Sequence, residues 1–209
     1  LIDAGADINV KISDKENQDP GFTPLTLALK DQNYTFADYL LKKGANVNIP
    51  VSDKSYYYPS WSALHIALAE RNYPLAGQII EAGADVNKTV SNKVPERHYP
   101  TFSPLHFACL HKEGLEISGY LLEKGADPII QNNKGETAYF LACKHKNHEE
   151  FAKLFETYGA ESDLKNTDRY LAKHKELRDQ LSKELFDYLR RYPTGYHKGA
   201  EKVKGLLDK

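Results

Sequence analysis

A Gly-Ala-Asp triplet or a near copy recurs at Gly5, Gly44, Gly83 and Gly125, and returns as Gly159-Ala160-Glu161. The intervals are 39, 39, 42 and 34 residues. A repeat of this length is a supersecondary unit that cannot bury its own apolar face and must stack on its neighbours. The chain is therefore expected to form a solenoid, an architecture that serves mainly as a recognition surface.

A second landmark precedes each glycine, in Thr23-Pro24-Leu25-Thr26, Ser62-Ala63-Leu64-His65, Ser103-Pro104-Leu105-His106 and Thr137-Ala138-Tyr139-Phe140. The hydroxyl is a natural helix N-cap, and proline at the first helical position sacrifices no hydrogen bond. Leu25, Ala28 and Leu29 form an inward stripe, repeated as Leu64, Ala67 and Leu68. A second helix places Phe36, Leu75, Ile117 and Phe151, then Leu40, Ile79, Leu121 and Phe155, in core ladders ahead of its glycine. That glycine supplies the left-handed residue that ends the helix. Glu156 stands where Leu41, Ile80 and Leu122 stand in the other units, so that side of the last outer helix is expected to be partly wet.

Together with Gly83-Ala84-Asp85-Val86-Asn87, these segments resemble the ankyrin repeat, a β-turn followed by two antiparallel helices. The resemblance covers about residues 1–160 and weakens in the last repeat, which lacks the Pro, the His and the Asn. It implies an all-α solenoid with a partial repeat at 1–10 and repeats at about 20–49, 59–88, 100–130 and 133–160. Residues 161–209 then form a C-terminal helical extension. The resemblance also implies that His65 and His106 bond the neighbouring finger backbone and are structural.

The two landmarks serve as a ruler. From the Pro/Ala to the following Gly the helical parts run 20, 20, 21 and 21 residues, whereas the connections run 19, 19, 21 and 13. The last connection has ordinary ankyrin length, so the other three carry six, six and eight extra residues. Length variation thus concentrates in the finger loops, where binding commonly resides.

Two positions before the Pro/Ala stand Phe22, Trp61 and Phe102, then Glu136. The resemblance implies a finger-tip position facing the concave groove. Large rigid rings there suit interface anchors, or else they form a small core beneath the long fingers. The second finger also carries Tyr56, Tyr57 and Tyr58, and the third Arg97 and Tyr99, whereas Lys11 to Pro20 reads as solvated loop. Lys144, His111 and His145 lie at the ends of first helices that line the groove. The expected function is binding of a partner protein through the groove and the second and third fingers. One alternative is the docking arm of a larger enzyme, and another is a structural spacer.

Other classes find little support. The net charge of −1 lacks the basic excess of a nucleic-acid binder, and no apolar run has transmembrane length. Cys109 and Cys143 each follow Ala where a small core residue belongs, which argues against a catalytic thiol or a disulfide and fits a reducing, cytoplasmic setting. No Gly-rich phosphate loop occurs, and no cofactor is expected. His111, His145 and His148 could bind a metal with Glu113, but stacked repeats separate equivalent residues by roughly 10 Å, so no metal site is expected. Leu1 and Ile2 read as the tail of an outer helix, which predicts that the chain is part of a longer protein. Thr167-Asp168 could cap a helix reaching about Arg191, either as a solenoid cap or as a linker or partner-binding helix. The abundance of Lys, Asn, Tyr and Ile also resembles ankyrin effectors that intracellular bacteria such as Legionella send into host cells; that would make the partner a host protein.

Overall fold

A computed structural model describes residues 2–12, 21–52, 55, 58–90, 101–144 and 148–158. All of them fall within the compact unit Leu1–Asp163. The finger residues 13–20, Tyr56, Tyr57, Arg97, Tyr99 and His145, and the extension from 159 onward, lie outside the described residues.

Helices pair in order along the chain: α1 (Pro24–Lys30) with α2 (Tyr34–Lys42), α3 (Ala63–Ala69) with α4 (Tyr73–Glu81), α5 (Pro104–Cys109) with α6 (Leu115–Glu123), and α7 (Ala138–Lys144) with α8 (His148–Thr157). Inner helices α1, α3, α5 and α7 pack on one another in sequence, and outer helices α2, α4, α6 and α8 do likewise. This is the all-α helix-turn-helix solenoid that the repeat predicts, with no strand among the described residues, only isolated bridges.

The caps form as their residue types require. Thr23 and Thr26 bond reciprocally, each backbone N–H donating to the other's hydroxyl at 2.8 and 3.2 Å. In the next two repeats histidine replaces that threonine. Ser62 and His65 Nδ1 are 2.7 Å apart, and Ser103 and His106 Nδ1 likewise. Because the Ser62 backbone N–H also points at Nδ1, that nitrogen accepts, and Nε2–H donates to the Lys88 carbonyl at 2.9 Å. His106 donates to the Glu136 carbonyl at 3.0 Å in the same way. Each imidazole thus ties its helix to the next finger. Both are buried, and desolvation holds them below the usual histidine range, His65 down to about 4.

Gly5, Gly44, Gly83 and Gly125 take φ values of +81° to +89°, as the helix-ending role requires. Asparagine then clamps repeat to repeat. Asn48 accepts from the Asp85 N–H and donates to the Gly83 carbonyl, and Asn87 does the same to Asp127 and Gly125. Asn9 accepts from the Asn46 N–H. At the fourth equivalent position stands Ile129, 58% exposed.

The inward stripes and most of the ladder residues are buried. Phe36 corrects the expectation: it is 41% exposed and stacks on Tyr39. The outer layer before α2 is, among the described residues, the single turn Ile2–Ala4. Glu156 is exposed, as its departure from the apolar pattern predicts. The extra residue of the third helical part is absorbed in a 3-10 turn, Lys112–Gly114. A Cβ on Gly114 would sit 2.0 Å from the Ala108 carbonyl, so the inserted turn admits only glycine.

Candidate partner-binding site

The fingers share one closing bond. Seven residues after each glycine a backbone N–H donates to the carbonyl two positions before the Pro/Ala: Ile12 to Phe22 at 2.8 Å, Val51 to Trp61 at 2.8 Å, Val90 to Phe102 at 3.0 Å and Asn132 to Glu136 at 2.9 Å. Between these partners lie nine, nine, eleven and three residues, so every extra finger residue falls inside the closing bond. This corrects the expectation that Phe22, Trp61 and Phe102 are finger tips. They sit at the necks of their fingers. Only in the short finger does the same position, Glu136, adjoin the tip glycine Gly135 at φ +74°.

At the necks the rings meet in a continuous series. Phe22 meets Tyr58 edge-on at 6.0 Å between centroids, Tyr58 meets Trp61 at 5.2 Å, and Trp61 meets Phe107 at 5.0 Å. Phe107 then meets Phe102 at 5.3 Å, and Phe102 lies parallel on His106 at 5.4 Å. Edge-to-face pairs set the negative ring face against a positive edge, which adds direction to apolar burial. The series crosses three repeats and ends on the capping histidine that binds the short finger.

Burial divides these rings. Phe22 is 2% exposed and Phe107 8%, so they form the finger core, whereas Tyr58, Trp61 and Phe102 are half-buried. Phe22 takes the finger-core alternative: its ring packs against Tyr58 and under the Lys30 ammonium, 5.4 Å from the ring centre. Trp61 Nε1–H finds no acceptor among the described residues. Phe107 escapes sequence reasoning because it occupies the variable place between His106 and Ala108; its aromatic character was the available signal.

The first two necks are also in close contact. Gly21, at φ +95°, would carry a Cβ 3.0 Å from the Ser52 Cβ, so glycine is what lets the fingers approach. Within the second finger the buried Ser55 hydroxyl accepts from the Tyr58 N–H at 3.3 Å and turns that ring toward Trp61.

Of the remaining candidates, His111 is half-buried at the start of the 3-10 turn, and Lys144 ends α7. Glu113, the carboxylate considered for a histidine metal site, instead lines a cavity beside Tyr73. No group of metal-ligating side chains occurs among the described residues. Cys109 is fully buried, and desolvation pushes its thiol up to about 12, so it is a packing residue. Cys143 is half-buried rather than fully enclosed, and neither cysteine is in a disulfide. No helix among the described residues is long and apolar enough to cross a membrane.

Residues 1–90 match the family pattern described as "Ankyrin repeats (3 copies)", and residues 102–133 match that described as "Ankyrin repeat". A stretch of 55 residues, 24% of this chain, is 49% identical to "Probable E3 ubiquitin-protein ligase XBOS33" of Oryza sativa subsp. japonica. The match spans 10% of that protein's length.

Proposed function

Because the chain belongs to the ankyrin repeat family, whose repeats are non-catalytic protein–protein interaction modules, we propose that it holds a partner protein against the necks of its second and third fingers and the adjoining concave groove. The observation that carries this reading is the half-buried trio Tyr58, Trp61 and Phe102, seated on the buried Phe22 and Phe107. Rings already fixed by edge-to-face packing lose little entropy when a partner covers them. Tyr56, Tyr57 and Tyr99 extend the apolar contact in this reading, while Arg97, His111, Lys144 and His145 supply polar specificity.

The test is Trp61→Ala against a partner isolated by pull-down with the chain. Affinity is expected to fall by about 2 kcal/mol or more, as for an interface hot spot, with a modest loss of stability from the contacts with Tyr58 and Phe107 and the chain still folded. Unchanged affinity with an intact fold would remove Trp61 from the contact. A sharp fall in melting temperature would place the ring in the finger core instead.

A second reading, in which the repeats dock a substrate for an enzyme, is favoured by the ligase relative, whose match lies in the repeat type. Under it the captured partner acquires ubiquitin in a ubiquitin-transfer reaction containing the chain. A partner that binds firmly and stays unmodified argues for the scaffold.

A further inference from the structure

The side of the solenoid formed by the outer helices carries a cavity of about 620 Å³ between α4 and α6. Gly77, Ile117, Tyr73, Tyr120 and the exposed Pro74 line it, together with Glu113, Glu116 and Glu123. Gly77 lies in mid-helix with an ordinary φ, and a Cβ there would meet nothing within 4 Å. Neither backbone strain nor crowding explains a residue that is among the poorest in a helix interior. The equivalent place one repeat on is Gly119, where the gap is filled: a Cβ would meet Leu154 at 3.4 Å. Tyr120 lines the same cavity, and the Lys124 ammonium lies 5.2 Å from its ring centre.

The charges show what the hollow lacks. The three carboxylates are exposed, and no cation pairs with them among the described residues. The nearby ammonium groups are taken up elsewhere, Lys124 by Glu81 at 3.0 Å and Lys112 by Glu150 at 3.1 Å. Arg71 makes no ion pair among the described residues.

We propose that this groove is a second docking site, on the opposite layer from the fingers, that receives an arginine-bearing segment of a partner protein. The stem of the arginine covers Ile117 and Pro74, its planar guanidinium stacks against tyrosine, and its fork donates to the carboxylates of Glu113, Glu116 and Glu123. A guanidinium suits this set better than an ammonium because it combines a flat face with several in-plane donors. The site uses no residue of the finger necks and stands apart from the reading given above.

The probe is a blocked Leu-Arg-Leu tripeptide, titrated into the full chain and followed by amide chemical shifts. Its citrulline counterpart keeps the shape and removes the charge. Saturable shifts at Gly77, Ile117 and Tyr120 are expected, with citrulline at least tenfold weaker and Trp61→Ala without effect. The triple variant E113Q, E116Q and E123Q is expected to weaken arginine binding at least tenfold. G77L, which fills the cavity and favours the helix, is expected to abolish it while the chain stays folded. Equal binding of arginine and citrulline, shifts confined to the finger necks, or undiminished binding by G77L would overturn the proposal.

Discussion

The second and fourth fingers share a closing bond and are otherwise held by opposite means. In the short fourth finger the neck pair is Asn132 and Glu136, and the polar side chains do the closing. Asn132 Oδ1 accepts from the Lys134 and Glu136 N–H groups at 2.8 and 3.0 Å, and its amide donates to the Glu136 carboxylate at 2.9 Å. In the long second finger the same two positions are Val51 and Trp61. The Trp61 N–H, counterpart of the Glu136 N–H, donates instead to the Tyr58 carbonyl at 3.2 Å, so an asparagine at 51 would lack one of the donors that satisfy Asn132. Apolar packing replaces the amide: Val51 is 1% exposed, and Trp61 is wedged between Tyr58 and Phe107. A short finger saturates its own polar groups, whereas a long one recruits rings, and the edges of Tyr58, Trp61 and Phe102 stay half-buried.

Exchanging the two solutions tests this contrast most severely. Val51→Asn with Trp61→Glu is expected to destabilise the fold by about 4 kcal/mol, from lost apolar packing and buried polar atoms without partners. Urea denaturation measures it, and a near-neutral double variant would show that neck chemistry is interchangeable.

Acid probes the histidine that ties each neck to the preceding helix. Desolvation depresses the folded pKa of His65 to about 4, below its unfolded value of about 6.5. The unfolded chain therefore takes up the proton first, so stability is full above about pH 6.5 and declines as pH falls toward 4. The loss from His65 is about 3 kcal/mol at about 1.4 kcal/mol per pH unit. His106 shifts in the same direction from the same cause. Denaturation curves across that range should show the slope, and His65→Gln should flatten it.

Smaller effects separate the fingers individually. Asn132→Ala deprives two finger N–H groups of their acceptor, at a cost of about 2 kcal/mol. Amide exchange should then quicken at Lys134 and Glu136 but not at Val51 or Val90. The weakest case is Ile12, which holds the neck position of the first finger yet is 40% exposed. Ile12→Thr should change stability by no more than about 0.5 kcal/mol, whereas Val51→Thr should cost about 1–2 kcal/mol by burying a hydroxyl. Equal costs would mean that the necks are not distinguished by burial.

The repeat, the caps and the core ladders were legible because each depends on residues close in sequence. Gly44 ends a helix and Ser62 starts one whatever their distant surroundings. Counting also showed which fingers are long. It could not show where in each loop the hairpin closes, so Trp61 read as a tip residue when it belongs to a neck. The exposure of Phe36, and the choice between anchor and finger core for Phe22, are not legible for a related reason: both depend on what packs from the adjoining repeat. Phe107 was passed over because a family pattern leaves its position free, and only the folded chain shows that it links Trp61, His65 and Phe102.

The asparagine clamps have a mechanical consequence. A solenoid pulled along its axis must shear one repeat from the next, and Asn48 and Asn87 each bolt a boundary with one donated and one accepted bond. Ile129 has no amide to offer at the boundary that follows. Under load the boundaries spanned by Asn48 and Asn87 carry two such rivets each and that spanned by Asn9 one, so resistance to pulling is graded along the stack.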